Sequence, residues 1–225
     1  MNLIYQIFPN LEKLGPELLE CIWATVQMVL ISGFISFVFG IFFGSLLIVT
    51  KKGGILECLP VYTIIDKAID ILRSVPFIIM LFLLIPLTRI IMGTSLGIEG
   101  ALVPLIFGTV PFFSRQVETA IAEVDPGLVE ASEAMGLSPI EIIFSVYLRE
   151  SIPGIVRVSM ITLISLINLT TMAGTVGAGG VGDFAIRYGY QLHMYDMIWI
   201  SVIITLIMVT IIQLIGNLIL RRTIH

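Results

Sequence analysis

The sequence predicts an all-α integral membrane protein with five transmembrane helices, and three observations carry that prediction. Of 225 residues 57% are hydrophobic and only 12% charged, about half the charge of an ordinary soluble domain. The mean hydropathy is +1.07. The charges that remain are segregated: residues 21–50, 158–182 and 197–220 contain no Asp, Glu, Lys or Arg. Uncharged apolar runs of that length read as membrane spans, because a charge at the centre of the bilayer costs about 2.5–3.5 kcal/mol on insertion scales.

Two shorter uncharged runs, 74–88 and 100–114, have 15 residues each. Each reaches only about 22 Å at 1.5 Å per residue. Flanking Arg73, Arg89 and Arg115 can snorkel to the interfaces and complete both spans. Placing the N-terminus outside puts Lys51, Lys52, Lys67, Arg73, Arg115, Arg149, Arg157, Arg221 and Arg222 inside. Lys13, Arg89 and Arg187 then lie outside, nine basic residues against three. The positive-inside rule therefore predicts an external N-terminus and a cytoplasmic C-terminus.

Residues 1–20 do not have the form of a cleaved signal, since Glu12, Lys13, Glu17 and Glu20 precede the first span. Leu3, Ile4, Ile7, Phe8, Leu11, Leu14 and Leu18 follow helical spacing. This segment is either a short helix on the outer surface, interrupted near Pro9 and Pro16, or a frayed leader. The membrane-spanning body is then 21–222, with a polar connection at about 120–152.

That connection carries dense helix punctuation. Asp125-Pro126 is an N-cap with proline at the first helical position, and Val124 and Val129 occupy the staple positions. The helix is expected over 126–135, stopped by a left-handed Gly136. Ser138-Pro139-Ile140-Glu141 then forms a capping box, with Leu137 and Ile142 as its staple, opening a second helix over 139–147. Two capped helices on the cytoplasmic side suit a docking element better than a plain connector.

Other features have two readings each. Gly174, Gly177, Gly179, Gly180 and Gly182 crowd into nine residues. They either let helices approach closely or make irregular backbone along a solute pathway. Their density favours the pathway. Met172, just before them, is either an ordinary apolar side chain or a gate. Pro76, Pro86, Pro104 and Pro111 are expected to break both short spans, with Pro76 and Pro111 as pathway candidates. Arg73, Arg115 and Arg157 read as interfacial anchors. Asn168, Thr170 and Thr171 bond between helices or face the pathway. His193 and His225 have no partners at metal-ligand spacing. The sequence has no G-x-x-x-x-G-K-[ST] loop and no nucleophile–base arrangement, so an energy source must come from another chain.

Glu130-Ala131-Ser132, three residues and Gly136 resemble the "EAA" coupling motif of ABC importer permeases. Nine residues further on, Val146-Tyr147-Leu148-Arg149 departs from the family's Ile-x-Leu-Pro ending, and Pro153-Gly154 offers an alternative bend. Arg73-Ser74-Val75-Pro76-Phe77, Val110-Pro111-Phe112 and the stretch Met172 to Gly182 are similar to the second, third and post-fourth-span segments of methionine-import permeases. The resemblance covers about 20–222.

It implies a type I importer permease fold in a bacterial inner membrane, with Glu130, Ala131, Ser132, Gly136, Ser138 and Pro139 in a coupling loop that enters a cleft on a cytoplasmic ATPase. It implies a non-catalytic subunit without its own cofactor, ATP and Mg being bound by two partner ATPases. A second copy of the chain completes a homodimer, and an external, lipid-anchored binding protein delivers D- or L-methionine; no nucleic acid is involved. Permeases for another amino acid or small solute are the alternative, and an ion-coupled carrier a more distant one.

Overall fold

The computed structural model describes Phe8 and residues 10–223, whose regular elements are all helical, with no strand among them. In chain order the helices are α1 Leu11–Thr50, α2 Leu59–Ser74, α3 Phe77–Leu83, α4 Ile85–Met92, α5 Gly97–Ala122, α6 Pro126–Ala134 and α7 Pro139–Ile142. A π-helical turn, π1 Ile143–Tyr147, leads to α8 Leu148–Glu150 and α9 Ile152–Gly174. Then come α10 Gly180–Phe184, a second π turn, π2 Ala185–Gln191, and α11 Tyr195–Thr223.

Four of these, α1, α5, α9 and α11, are long and apolar enough to cross a membrane. The expected second span is not one helix. Pro76 caps α3 and Pro86 lies in the first turn of α4, with Leu84 between them at φ −88°, ψ 1°. Pro104 and Pro111 correct the expectation in the opposite sense, because α5 runs unbroken through both. Each removes one i→i−4 bond, a loss membrane helices tolerate when buried neighbours hold the backbone, and both prolines are buried.

Of the surface helix expected within 1–20, residues 1–7 and 9 lie outside the described residues. From Leu11 onward the chain is already α1, which continues through Pro16. Pro16 lies in the second turn, where the Glu12 carbonyl that loses its amide partner belongs to an exposed residue near the helix end.

The chain forms two compact units. One comprises Met1–Phe34, Pro76–Ile106 and Leu163–Gln213. Its larger core gathers Met28, Val29, Leu81, Leu105, Leu166 and Ile167. A second cluster joins Leu18 and Cys21 to Phe184, Met197 and Ile200.

The other unit comprises Ile35–Val75, Phe107–Thr162 and Leu214–His225. Ile48, Phe113, Val117 and Ile121 form its core. There α1 meets α5 through Gly40 and Gly44: a Cβ on Gly40 would stand 2.3 Å from the Phe113 ring, and one on Gly44 2.7 Å from Val117. Two glycines four apart let helices close to short distance, which matters where lipid supplies no hydrophobic driving force between them.

Candidate functional site

The polar connection folds as its punctuation dictates. The Asp125 carboxylate accepts the Gly127 N–H at 2.8 Å, and Pro126 opens α6. The helix stops through a full Schellman arrangement: the Gly136 N–H donates to the Glu133 carbonyl at 2.9 Å and the Leu137 N–H to Ser132 at 3.2 Å. Gly136 has φ +80°, and a Cβ there would meet nothing within 4 Å. Its role is conformational, not steric.

Ser138 then caps α7 reciprocally. Its N–H donates to the Glu141 carboxylate at 2.8 Å and its hydroxyl to the same oxygen at 2.7 Å, while the Glu141 N–H donates back to the hydroxyl at 3.4 Å. These bonds hold the Glu141 carboxyl below the usual glutamate range. Both staples close into one small core, where Val129, Ile142 and Val146 are buried and Val124, Leu137 and Ile55 pack on them.

The second helix is α only over Pro139–Ile142; the expected 139–147 helix continues as π1, where the Leu148 N–H donates to the Ile143 carbonyl five residues back. Short π segments inside helices are rare and concentrate at functional positions. Pro153 and Gly154 fall in the first turn of α9, where Gly154 lies against Ala120.

What this segment leaves outside is apolar. Leu128 on α6, Met135 at its C-cap, Ile140 on α7 and Phe144 on π1 are all exposed, Met135 by 73% and Phe144 by 68%. Glu130, Ala131, Gly136, Ser138 and Pro139 are exposed as well, whereas Ser132 is buried and donates to the Leu128 carbonyl at 2.7 Å. A cavity of about 320 Å³ adjoins α6 and is lined by Lys51, Glu130, Glu133 and Tyr147 over an apolar floor.

In the same unit Arg115, expected as an interfacial anchor, makes a cluster of ion pairs that the sequence reading did not foresee. Its guanidinium pairs with Asp66 at 2.8 Å and Asp70 at 2.7 Å, both on α2, and with Glu118 at 2.8 Å. Its side chain is 23% exposed. Arg73 reaches Asp70 only at 4.0 Å.

The glycine-rich stretch lies in the other unit and divides into two kinds of glycine. Gly174 and Gly182 serve close packing, the plainer reading. Gly177 and Gly179, with φ of +85° and +78°, build irregular backbone between α9 and α10, and Gly180, with φ +85°, opens α10. Met172 is 39% exposed, and its carbonyl accepts the Thr175 N–H and hydroxyl. Two cavities flank the stretch. One of about 210 Å³ is lined by Leu81, Thr88, Arg89, Leu96, Val176 and Ala178. The other, of about 270 Å³, is lined by Asn168, Thr171, Gly182, Ser201 and Thr205. The Thr88 hydroxyl is buried and without a partner. Pro76 belongs to this unit, Pro111 to the other.

Beside the stretch, Arg187 pairs with Asp183 at 2.7 Å and with Glu17 at 3.0 Å, and the Tyr188 hydroxyl donates to Glu17. Among the described residues no three His, Cys, Asp or Glu side chains gather as a metal site. Thr25, Gly40, Gly44 and the Arg115 cluster escape the sequence reading. Only the glycine pair has a local signal, its four-residue spacing; the others depend on residues far apart in the chain.

Long apolar helices, an irregular glycine-rich turn at the end of one of them, and a doubly capped polar segment with an apolar outer face define a multi-pass transport subunit. The chain belongs to the binding-protein-dependent transport system inner membrane component family, whose model matches residues 37–225. It is 43% identical over 208 residues, 92% of each chain, to a probable D-methionine transport system permease protein of Vibrio cholerae. It is 40% identical over 174 residues to the methionine import system permease protein of Bacillus subtilis, covering 77% of this chain and 78% of that one. A solved inward-facing conformation of the MetNI methionine ABC transporter superposes with a TM-score of 0.93 at 41% identity, covering 95% of this chain and 99% of the other.

Proposed function

We propose that this chain is the permease subunit of an ATP-driven methionine importer, and that two copies of it form the membrane pathway. The observation that carries the reading is the segment from Asp125 to Tyr147. Its inner face is closed by its own core, yet Leu128, Met135, Ile140 and Phe144 stay exposed on a polar, non-spanning part of the chain. An apolar patch rimmed by charge marks a protein contact. The partner is a cytoplasmic ATPase, with Glu130 and Glu133 beside the adjoining cavity suited to a basic side chain.

One chain presents one such segment, so a paired ATPase takes two chains related by twofold symmetry. ATP and Mg are bound by that partner. A binding protein, lipid-anchored at the outer surface, delivers the solute on the side where the N-terminus lies. Nucleotide binding draws the ATPases together, moves the two coupling segments and shifts the permease between inward and outward states; hydrolysis resets it. The glycine-rich stretch and Met172 line or gate the path. Methionine rests on the 43% and 40% identical relatives named for its transport.

Uptake of labelled methionine into vesicles holding permease, ATPase and binding protein tests the assignment. ATP-dependent uptake is expected. Import of another amino acid in its place would reject the substrate and keep the importer class.

A further inference from the structure

One hydroxyl ties the glycine-rich stretch to the first span. Thr25 is 3% exposed on α1. Its Oγ1 accepts the Val181 N–H at 2.9 Å and donates to the Cys21 carbonyl at 3.1 Å, so both of its capacities are used. Val181 stands in the first turn of α10, whose N-cap residue Gly179 brings no side-chain acceptor. The cap comes instead from a residue 156 positions away. Gly180 permits the approach: a Cβ there would stand 2.7 Å from Thr25 Oγ1 and 3.0 Å from the Met28 methyl.

The stretch has a second tie, from the Gly97 N–H to the Gly177 carbonyl at 3.0 Å. Between the two lie only Ala178, Gly179 and Gly180, and both glycines have positive φ. The Gly97 tie is backbone to backbone and must be broken by moving helices. The Thr25 tie hangs on a single buried side chain, and a buried amide left unpaired is strongly disfavoured. Any rearrangement of the stretch relative to α1 has to exchange that bond for another.

We propose that Thr25 is the positioning residue that fixes the glycine-rich stretch, and that release of the Thr25–Val181 bond is a step of the transport cycle. The proposal rests on reading that stretch as part of the solute path. Thr25→Val keeps the shape and removes the bond; Thr25→Ser keeps the bond. Gly180→Ala displaces the same hydroxyl from the opposite side and serves as an independent lesion should Thr25→Val fail to assemble.

The test uses the complete transporter in lipid vesicles, with two readouts: amide exchange over 178–184, and methionine moved per ATP hydrolysed. In Thr25→Val and Gly180→Ala the exchange should quicken about tenfold, the effect of one lost hydrogen bond. Methionine moved per ATP should fall about fivefold or more, a typical size for a lost coupling, with hydrolysis retained. Thr25→Ser should restore both. Unchanged exchange would overturn the tie, and a proportional fall of uptake and hydrolysis would make Thr25 merely structural. Faster exchange with unchanged uptake per ATP would also overturn the proposal and place the fault in the pathway reading.

Discussion

Gly174 and Gly182 bring two backbones into direct contact. A Cβ on Gly174 would lie 2.4 Å from the Asp183 nitrogen, and one on Gly182 would lie 2.5 Å from the Thr171 Cα. The end of α9 and the start of α10 are therefore packed main chain on main chain, with no side chain able to yield. Gly174→Ala and Gly182→Ala should each destabilise by about 1–3 kcal/mol, the usual cost of overpacking. Thermal unfolding of the assembled complex measures this, and a shift close to zero would mean the two segments separate more easily than the packing indicates.

Gly136 is the opposite case. Space is open around it, so only its φ of +80° resists substitution. Gly136→Val should carry about 1–2 kcal/mol of backbone strain, and Gly136→Asn much less. Membrane insertion should survive both. Because a docking helix must meet a preformed cleft, Gly136→Val should weaken ATPase co-purification and uptake while Gly136→Asn spares them. Wild-type coupling in Gly136→Val would make this turn an ordinary loop.

Glu141 gives the segment a pH signature. Its carboxylate is favoured by the Ser138 hydroxyl and amide, which lowers its protonation midpoint below that of an ordinary glutamate. The sign follows: the capping box contributes fully above the unfolded-state value and is lost as pH falls through the folded one. A carboxyl-carbon titration should find that low midpoint in the wild type. Ser138→Ala should return it toward the ordinary glutamate value.

Arg115 holds three carboxylates at 2.7–2.8 Å. Arg115→Met would leave Asp66 and Glu118 without a cation and Asp70 with only Arg73 at 4.0 Å, a destabilisation of about 2 kcal/mol for a cluster that keeps partial access to water. Adding Asp66→Asn and Asp70→Asn should recover most of it, since like-charge repulsion goes with the carboxylates. A denaturation series across the variants checks the non-additivity.

The local fold of residues 125–147 was legible in the sequence because its signals are local. Asp125, Gly136 and the Ser138–Glu141 pair each act within a few residues, and the structure places every one of these caps where local rules put them. The prolines show where such rules end. Pro76 and Pro86 are exposed and stand where short helices open, whereas Pro104 and Pro111 are buried and pass inside α5, a difference no local rule reports. The Thr25–Val181 bond and the Arg115 cluster were not legible, since their partners are brought together by the packing of distant helices.

The reading of 125–147 as a cytoplasmic docking element is tested most directly by Met135→Cys in a chain carrying Cys21→Ser and Cys58→Ser. Met135 is 73% exposed and takes no part in either capping interaction through its side chain. An impermeant thiol reagent should label this cysteine in inside-out vesicles of the permease alone and not in right-side-out vesicles. Adding the ATPase should then protect it. Labelling from the outside, or equal labelling with and without the ATPase, would contradict the account.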